Sequence, residues 1–458
     1  MLSLFSLETL QQVRYEAVST LQHGLRQVPW FNVTIIGSLV FFMLECYLDF
    51  RQIRRLVTPQ IPPILHQWVT IDEERMKKRN SWSIMRHVFH GMQATLMFVG
   101  EGLVLMNEGL VWVWSFTLVL MGFFQLGPEY EITRGTLFVL LVSFVTSMVR
   151  VPFALFKLLC VDMSFRVERL PAILWSWFWT QSKMFALSLC VGIPLMMFAL
   201  ALLKWNLRFY WLYMCIFMTF IAVLFTDIYD IIAPFFYTFS VLPSGELRDE
   251  ITRLATALRF PLSQILVLEK SPNFVAHSNA FLMGYRFSKK IVLYKPLLHQ
   301  LKTKEILAII GHEIGHHVYF HTLKTLVIQL LSLATFIFLF SRVVYMPEFY
   351  ASFGFSKPDA AIGLVLFSYI YSSFANLLHW LTNSINRRFE FSADAYAIEN
   401  GLTKLRSALI KIHANNLLNV MPDPCYAHYH YSHPSLVERL ECIERLTNSA
   451  ASMEKKEQ

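Results

Sequence analysis

The chain is poor in charge and lacks paired cysteine motifs. Only 16% of its 458 residues are charged, against about 25% in soluble domains, so a soluble globular enzyme is excluded. The six cysteines form no Cys-x-x-Cys pair, which excludes a cysteine zinc site and gives no sign of a disulfide framework. The net charge is a modest +8, and the basic residues gather in a few loops, so no nucleic-acid partner is expected.

Apolar residues dominate instead. They make up 55% of the chain and recur in runs of about twenty residues, the length at which a helix crosses a bilayer. We therefore predict a mainly α-helical, polytopic membrane protein with about seven transmembrane helices in the lipid bilayer. The predicted spans are 30–50, 104–125, 136–157, 184–203, 209–227, 322–345 and 361–381.

These spans divide the chain into four parts. We predict an N-terminal membrane region of about five spans at 1–242, a polar segment at 243–321, the last two spans at 322–381 and a polar C-terminal segment at 382–458. The loop 51–90 holds eight lysines and arginines, which places it in the cytosol. An odd number of spans then places both polar segments on the cytosolic side as well.

The last four residues suggest a subcellular location. Lys455 and Lys456 stand at the fourth and third positions from the end, an arrangement that resembles a dilysine retrieval signal of the endoplasmic reticulum. Such a signal needs a cytosolic tail, in agreement with the predicted orientation. We expect the protein in the endoplasmic reticulum or the contiguous nuclear envelope. An ordinary solvated charged end is the alternative.

The first polar segment is predicted to hold a small β element and a long helix. Helical periodicity runs from Gly245 to Arg259, and the β-rich runs 265–268 and 290–294 indicate a β-hairpin or small sheet. Thr303 is expected to cap a helix that begins at the next residue and continues into the sixth span.

That helix carries the strongest motif, His312-Glu313-Ile314-Gly315-His316. Residues four apart share one face of a helix, so His312 and His316 can bind one Zn²⁺ together. Glu313 projects beside the metal, where a general base can deprotonate a water that the zinc holds. The alternative is three incidental polar residues, but such side chains at the end of an apolar helix are costly unless they bind something. The motif predicts a zinc hydrolase.

A catalytic zinc needs a third protein ligand and one open position for water. The best donor is Glu390, which lies 74 residues beyond His316 in the segment NRRFEFSADAY. Asp394 lies four residues further on the same helix face, where it can accept a hydrogen bond from the non-ligating nitrogen of a zinc-bound histidine. The alternative is a solvated helix face on which Arg387 pairs with Glu390.

Asn279 and Ala280 are candidate substrate-binding residues. They stand at the edge of the predicted β element, where an extended substrate can add as a further strand and be held by backbone hydrogen bonds. The residues alone favour the alternative, an asparagine in a turn.

His433 and Arg439 are candidate catalytic residues. They can polarise the scissile carbonyl and hold the oxyanion. The alternative is the N-terminus of a helix, with Ser432 or His433 as its cap and Pro434 as its first residue. The two interpretations are compatible.

Three motifs in this order resemble the CAAX prenyl protease 1 family of integral-membrane zinc metalloproteases: HEIGH, RRFEFSADAYA and HYSHPSLVERL. The segment ECYLDFRQ before Pro62, the segment 244–247 and HSNA at 277–280 are similar to the family too. The resemblance covers nearly the whole chain, closely at the metal segments and loosely across spans two to five. His321 matches a histidine common after the family motif, whereas His317 replaces an aromatic residue and is interpreted as a supporting or surface residue.

The resemblance implies both a fold and an activity. The fold is a set of about seven transmembrane helices that form a water-filled chamber, with a zinc metalloprotease domain that contains the small β element. The activity is removal of the last three residues from proteins that end in a prenylated cysteine motif. Prenylated, above all farnesylated, proteins or peptides are then the substrates, and one Zn²⁺ per chain is the cofactor.

The resemblance also implies roles by position. The zinc ligands are His312, His316 and Glu390, the base is Glu313, the residue that supports a ligand is Asp394, and the residues that position substrate and oxyanion are Asn279, His433 and Arg439. In the mechanism that follows, zinc polarises the carbonyl and lowers the pKa of water toward about 7. Glu313 takes the proton and returns it to the leaving amine.

Two rival functions stay open at this point. A quality-control endopeptidase would use the same zinc site without needing a prenyl group, and would cleave prenylated and unprenylated peptides equally. A metal transporter or channel would instead spread its ligands along several spans near the middle of the bilayer. The natural substrate, a second cleavage and the oligomeric state, a monomer included, are not readable from the sequence.

Overall fold

Helices form most of the structure. In this computed structural model the described residues are 20, 23–58, 73–161, 170–205, 209–270, 279–284, 289–416, 419 and 421–457. The first seven helices are α1 (Trp30–Val57), α2 (Glu73–Met106), α3 (Gly109–Phe123), α4 (Glu131–Phe156), α5 (Leu170–Leu187), α6 (Ile193–Lys204) and α7 (Tyr210–Ile232). The others are α8 (Glu246–Ala257), α9 (Lys295–Gln300), α10 (Thr303–Val318), α11 (His321–Val343), α12 (Pro347–Ala351), α13 (Ala360–Glu399), α14 (Leu405–Asn415), α15 (Pro424–His430) and α16 (Leu436–Glu457).

Six helices in the described residues are long and apolar enough to cross a membrane, and two further apolar helices are shorter. The six are α1, α2 from Met76 onward, α4 with a π-helical turn at Lys157–Val161, α5 joined to α6 through Ser188–Gly192, α11 and α13. The shorter two are α3 and the first part of α7, Tyr210–Thr226. The polytopic helical fold is confirmed, and the expected number of about seven spans is approximately right.

The predicted second span, 104–125, is wrong in position. The chain breaks between α2 and α3, where Glu108 adopts a left-handed backbone with φ of 51°, and α2 begins well inside the predicted loop 51–90. The apolar-run criterion missed this helix because one of its faces is polar, with His87 and His90 lining a cavity. These side chains interrupt the apolar run without interrupting the helix.

A four-stranded sheet follows the N-terminal helices. Its strands are β1 (Thr238–Val241), β2 (Leu262–Lys270), β3 (Ala280–Met283) and β4 (Lys289–Tyr294), in the spatial order β1-β2-β4-β3. β2 and β4 run parallel, and β1 and β3 pair antiparallel with them at the two edges. The small sheet is confirmed. The hairpin is wrong, because β3 lies between the two predicted runs in the chain and parallel neighbours need a crossover connection.

The two polar segments share one hydrophobic core. From the first segment, α10 contributes Ile306, Ile310 and Ile314, all buried. From the C-terminal segment, Leu405 and Leu440 pack into the same cluster. Full burial of such a side chain is worth about 1.5–3 kcal/mol, so this core holds together segments that the last two spans separate in sequence.

Glycines on α10 allow it to approach α13 closely. A Cβ added at Gly315 would lie 3.1 Å from the Tyr396 Cβ and 3.2 Å from the Ala393 Cα, tighter than an ordinary van der Waals contact. A Cβ at Gly311 would collide with the Leu402 side chain. The short distance between the helices brings the histidine face of α10 against α13.

The long helix predicted to run from Thr303 into the sixth span is two helices. α10 ends at Val318, and Phe320 then takes a left-handed backbone with φ of 56° before α11 begins. The predicted cap is displaced by one residue. Lys302 is the N-cap, and its backbone N–H donates to the Glu305 carboxylate at 2.9 Å. The break reorients the chain immediately after the histidine motif.

Candidate active site

Two helices bring three ligand-type side chains together. α10 carries His312 and His316 one turn apart, and α13 carries Glu390 opposite them. The ligand atoms of the three residues all lie within 4.8 Å of one another. Among the described residues, no other set of three or more histidines, cysteines or acids meets in this way.

The spacing of these atoms fits a tetrahedral metal site. His312 Nε2 lies 3.2 Å from His316 Nε2, and the Glu390 carboxylate oxygens lie 3.5 Å from the first nitrogen and 3.2 Å from the second. Ligands at about 2.0–2.1 Å from a tetrahedral zinc are roughly 3.3 Å apart. Two imidazoles and a carboxylate are also a donor set of catalytic zinc sites, in which a fourth position stays open.

Asp394 and Arg439 hold His312 from behind. Asp394 Oδ1 lies 2.8 Å from His312 Nδ1, so the ring nitrogen away from Glu390 donates to this carboxylate. Arg439 donates from Nε and Nη2 to the two Asp394 oxygens at 2.8 and 2.6 Å. Asp394 is fully buried and Arg439 nearly so. A carboxylate behind a ligating histidine sets its tautomer and ring orientation and makes it a better donor to a metal.

His321 stands behind the second histidine. Its Nδ1 lies 3.0 Å from His316 Nδ1, and its Nε2 lies 3.2 Å from the Ser392 hydroxyl. The sequence left His321 and His317 between a supporting and a surface role, and the structure separates them. The break between α10 and α11 turns His321 toward the ligands, whereas His317 packs edge-on against Phe260, with ring centroids 5.2 Å apart.

Glu313 lies on α10 directly after the first histidine and is half-buried. Burial raises the pKa of its carboxyl above the usual value; the imidazoles of His312 and His316 oppose the rise, and the Glu390 carboxylate adds to it. A raised pKa suits a group that accepts a proton and later gives it back.

His433 stands at the mouth of the site. Its side chain is 67% exposed, and its Nδ1 lies 2.9 Å from Glu390 Oε2. The remaining guanidinium nitrogen of Arg439, Nη1, lies 3.4 Å from the same oxygen. Both groups belong to the C-terminal segment, and both lie close to the Glu390 carboxylate.

Asn279 and Ala280 lie where the edge strand begins. Ala280 is the first residue of β3, and the Asn279 carbonyl accepts a hydrogen bond from the Tyr294 N–H at 3.0 Å. β3 packs against α10, so the strand that a substrate would extend borders the helix that carries the histidines. His277 and Ser278, which belong to the same sequence motif, lie outside the described residues.

Two contacts near the site differ from the sequence-based alternatives. Arg387 donates to Glu438 at 2.6 Å and does not pair with Glu390, which turns to the histidines. The cap of α16 is Ser435, not Ser432 or its neighbour. Glu438 accepts from the Ser435 N–H at 2.7 Å and from its hydroxyl at 2.8 Å. Ser435 and Glu438 have the Ser-x-x-Glu spacing of a capping box, which is the sequence signal for this cap.

Family models match two consecutive parts of the chain. Residues 242–447 match peptidase family M48, and residues 52–238 match the CAAX prenyl protease N-terminal model with five membrane helices. The site described above lies wholly in the M48 part. The predicted N-terminal membrane region lies largely in the other.

Similar proteins cover almost the whole chain. The CAAX prenyl protease 1 homolog of Arabidopsis thaliana is 32% identical over 91% of this chain and 98% of its own length. CAAX prenyl protease 1 of Saccharomyces cerevisiae is 29% identical over 91% of this chain and 96% of its own. The crystal structure of S. mikatae Ste24p matches with a TM-score of 0.83 at 27% identity, covering 91% of this chain and 99% of that one. The chain belongs to the CAAX prenyl protease 1 family of membrane metalloproteases.

Proposed function

We propose that this protein is a zinc endopeptidase that removes the last three residues from prenylated CAAX proteins. The names of its relatives support the substrate class. The observation that carries the proposal is the meeting of His312, His316 and Glu390 at tetrahedral spacing, with Glu313 beside them. Protease segments at 243–321 and 382–458, joined by their common core, would form the catalytic unit.

One Zn²⁺ per chain is the metal that these residues suit best. His312, His316 and Glu390 would hold it, since mixed nitrogen and carboxylate donors favour zinc over the all-oxygen sites of calcium and magnesium. When bound, zinc polarises the scissile carbonyl and makes water acidic enough to attack near neutral pH.

Glu313 supplies the proton transfers. It accepts the proton of the attacking water and returns it to the leaving amine, as its position directly after the first histidine supports. Asp394 keeps the His312 Nδ1 proton in place, and Arg439 keeps Asp394 ionised and oriented. These two residues act through His312 and hold the ligand in one orientation throughout turnover.

Residues on two sides of the site would position the substrate. His433, exposed at the mouth, donates to the oxyanion, and Arg439 Nη1 adds positive charge nearby. Asn279 and Ala280 hold the substrate backbone as a strand beside β3. An extended substrate so placed would cross α10 above the ligand set.

The site is proposed to face the cytosol from the endoplasmic reticulum membrane, with the C-terminus on the same side. The basic residues of 51–90 and the dilysine end support this orientation. Single cysteines at Asn107, Ser356 and Glu441, placed in a chain whose native cysteines are replaced by alanine, should label accordingly. In sealed microsomes an impermeant maleimide should reach only position 441. Labelling of the other two would contradict the orientation.

Cleavage of matched peptides tests the activity. Purified protein with zinc is given a farnesylated peptide ending in cysteine plus three residues, and the same peptide without the farnesyl group. We expect mass spectrometry to show loss of the last three residues from the farnesylated peptide alone, and no cleavage by Glu313→Gln. Equal cleavage of both peptides would favour the quality-control protease.

A further inference from the structure

A second cavity lies between the membrane helices and the C-terminal segment. Its volume is about 400 Å³, within the range of small-molecule sites, roughly 300–1,000 Å³. Its walls come from the end of α1, from α2 and from the π-helical turn after α4. The C-terminal segment adds Asn416, Asn419, α15 and Tyr431. None of the residues assigned above to the metal site lines it.

The cavity is lined by positive charge. Arg79 and Arg86 of α2 and Lys157 at the end of α4 all line it, and no aspartate or glutamate does so among the residues that the structure describes. Asn416 and Asn419 add side-chain amides. A concave surface lined by basic side chains attracts and orients an anion, and guanidinium groups such as that of Arg86 match the two oxygens of a carboxylate.

Two acids of α1 lie beside the cavity wall, and each contacts histidines of the lining. Glu45 Oε2 lies 3.2 Å from His430 Nε2. Asp49 is buried behind two histidines of α2, and each of its oxygens lies 2.8 Å from a ring nitrogen, one of His87 and the other of His90. Both carboxylates therefore contact histidines that line the cavity.

One wall of the cavity lies close in sequence to the active site. Tyr431 lines the cavity and stands two residues before His433, which contacts Glu390. Consecutive Cα atoms are about 3.8 Å apart, so these two positions are separated by at most about 7.6 Å. Arg86 and Tyr431 line the same cavity.

We infer that this cavity binds the free C-terminal carboxylate of the substrate. The inference rests on the proposed function, in which three residues follow the scissile bond. Three extended residues span about 10 Å, and the short chain segment from His433 to Tyr431 connects the metal site with the cavity. An anion site at that distance would select chain ends whose carboxylate lies three residues from the cut.

A matched pair of substrates tests the inference. One farnesylated peptide ends in a free carboxylate and the other in an amide, and kcat/KM is measured for both with the full-length zinc-loaded protein. Loss of a charge-assisted contact costs roughly 1.5–3 kcal/mol, or about 10- to 100-fold. We expect the amide to be cleaved with kcat/KM lower by that factor, mainly through a higher KM.

Variants locate the effect in the cavity. Arg86→Gln should lower kcat/KM for the free acid and leave the amide nearly unchanged, so that the preference for the acid collapses. Arg86→Lys should retain part of the preference because it keeps the charge. Arg253→Gln, on the exposed face of α8, removes an arginine elsewhere and should keep the full preference. The released tripeptide should inhibit the wild type more strongly as an acid than as an amide.

Two results would overturn the inference. One is equal cleavage of acid and amide by the wild type. The other is an equal loss for both peptides in Arg86→Gln with zinc content unchanged. If Arg86→Gln instead abolishes a dependence on phosphatidylserine in phosphatidylcholine vesicles and keeps the acid preference, the cavity holds a lipid headgroup and the inference is wrong. Failure of the zinc-loaded wild type to cleave either peptide would overturn the proposed function itself, and the inference with it.

Discussion

α2 and α10 each present two histidines to a carboxylate on a neighbouring helix, yet only one of the two clusters fits a metal. In α2, the Nδ1 atoms of His87 and His90 each bond a separate oxygen of Asp49, so the carboxylate stands between the rings. In α10, the Nε2 atoms of the histidines lie 3.2 Å apart, and Glu390 completes a triangle with them.

The difference lies in what holds the far side of each ring. Asp394 contacts Nδ1 of His312, and His321 contacts Nδ1 of His316, so each ring is oriented by a partner on its far side. In α2, Asp49 itself contacts the Nδ1 atoms of both histidines. The number of histidines and acids therefore does not define a metal site. What matters is which ring nitrogen faces the carboxylate and which group holds the other nitrogen.

The largest expected effect concerns the residue directly after the first histidine of each helix. It is Glu313 in α10 and Val88 in α2. Glu313→Gln should lower kcat by roughly 10²–10⁴-fold or more, because the proton acceptor is lost. Zinc content should stay at the wild-type level. Glu441→Gln, an exposed site on α16, serves as the control and should leave kcat unchanged. Loss of zinc together with activity in Glu313→Gln would indicate a ligand and not a base.

The next effect concerns the carboxylate that contacts a histidine Nδ1 in each cluster, Asp394 or Asp49. Asp394→Asn should weaken zinc binding by roughly 10- to 100-fold, and it should also lower stability because it leaves the buried Arg439 charge without its partner. Asp49→Asn should leave zinc affinity unchanged. Zinc titration against a chelator, with melting temperature measured alongside, checks both variants. Equal zinc affinity in Asp394→Asn and Asp49→Asn would remove the distinction between the two clusters.

A smaller effect concerns the glycines beside the histidines. Gly315→Ala should destabilise the protein by roughly 1–3 kcal/mol, because the added Cβ presses on Tyr396 and on the α13 backbone. Gly91, next to His90 in α2, has open space around it, so Gly91→Ala should be neutral or slightly stabilising. Melting temperature and kcat/KM of the pair would show whether α10 is packed more tightly at its histidines than α2.

The smallest effect concerns the start of α10. Burial alone would raise the pKa of Glu305, but hydrogen bonds from Lys411, the Lys302 backbone and Ser407 hold it below its usual value. A carboxylate with a lowered folded pKa contributes stability above its unfolded pKa, about 4.3, and loses it as pH falls through the folded value.

Glu305→Gln should therefore lower stability at pH 7 by roughly 0.5–1.5 kcal/mol. Between about pH 5 and pH 3 its melting temperature should fall less than that of the wild type, since this contribution is already missing. A parallel pH dependence in the two proteins would exclude Glu305 as a source of acid sensitivity.

Helical spacing was enough to predict which side chains of the site share a helix face. His312 and His316 are four residues apart, as are Glu390 and Asp394, and shared helix faces made both pairs evident. The Arg439–Asp394 ion pair could not be predicted from the sequence, because it joins helices whose relative placement depends on the common core. His321 could not be assigned from spacing either, since its orientation follows from the backbone break at Phe320.

In the membrane region the sequence was less informative for a different physical reason. A helix that lines a polar cavity carries polar side chains on one face, so average hydropathy underrates it. α2 is the example, with His87 and His90 inside its span. The sheet was underdetermined because the parallel pairing of β2 with β4 depends on β3, whose four residues give too short a pattern to recognise.

The most direct test of the metal site is the zinc-to-protein ratio of the purified wild type and of Glu390→Gln, measured side by side by mass spectrometry of the metal. We predict about one zinc per chain in the wild type and a ratio far below that in the variant, with the fold retained. An equal ratio in the two proteins would contradict the assignment of His312, His316 and Glu390 as one metal centre.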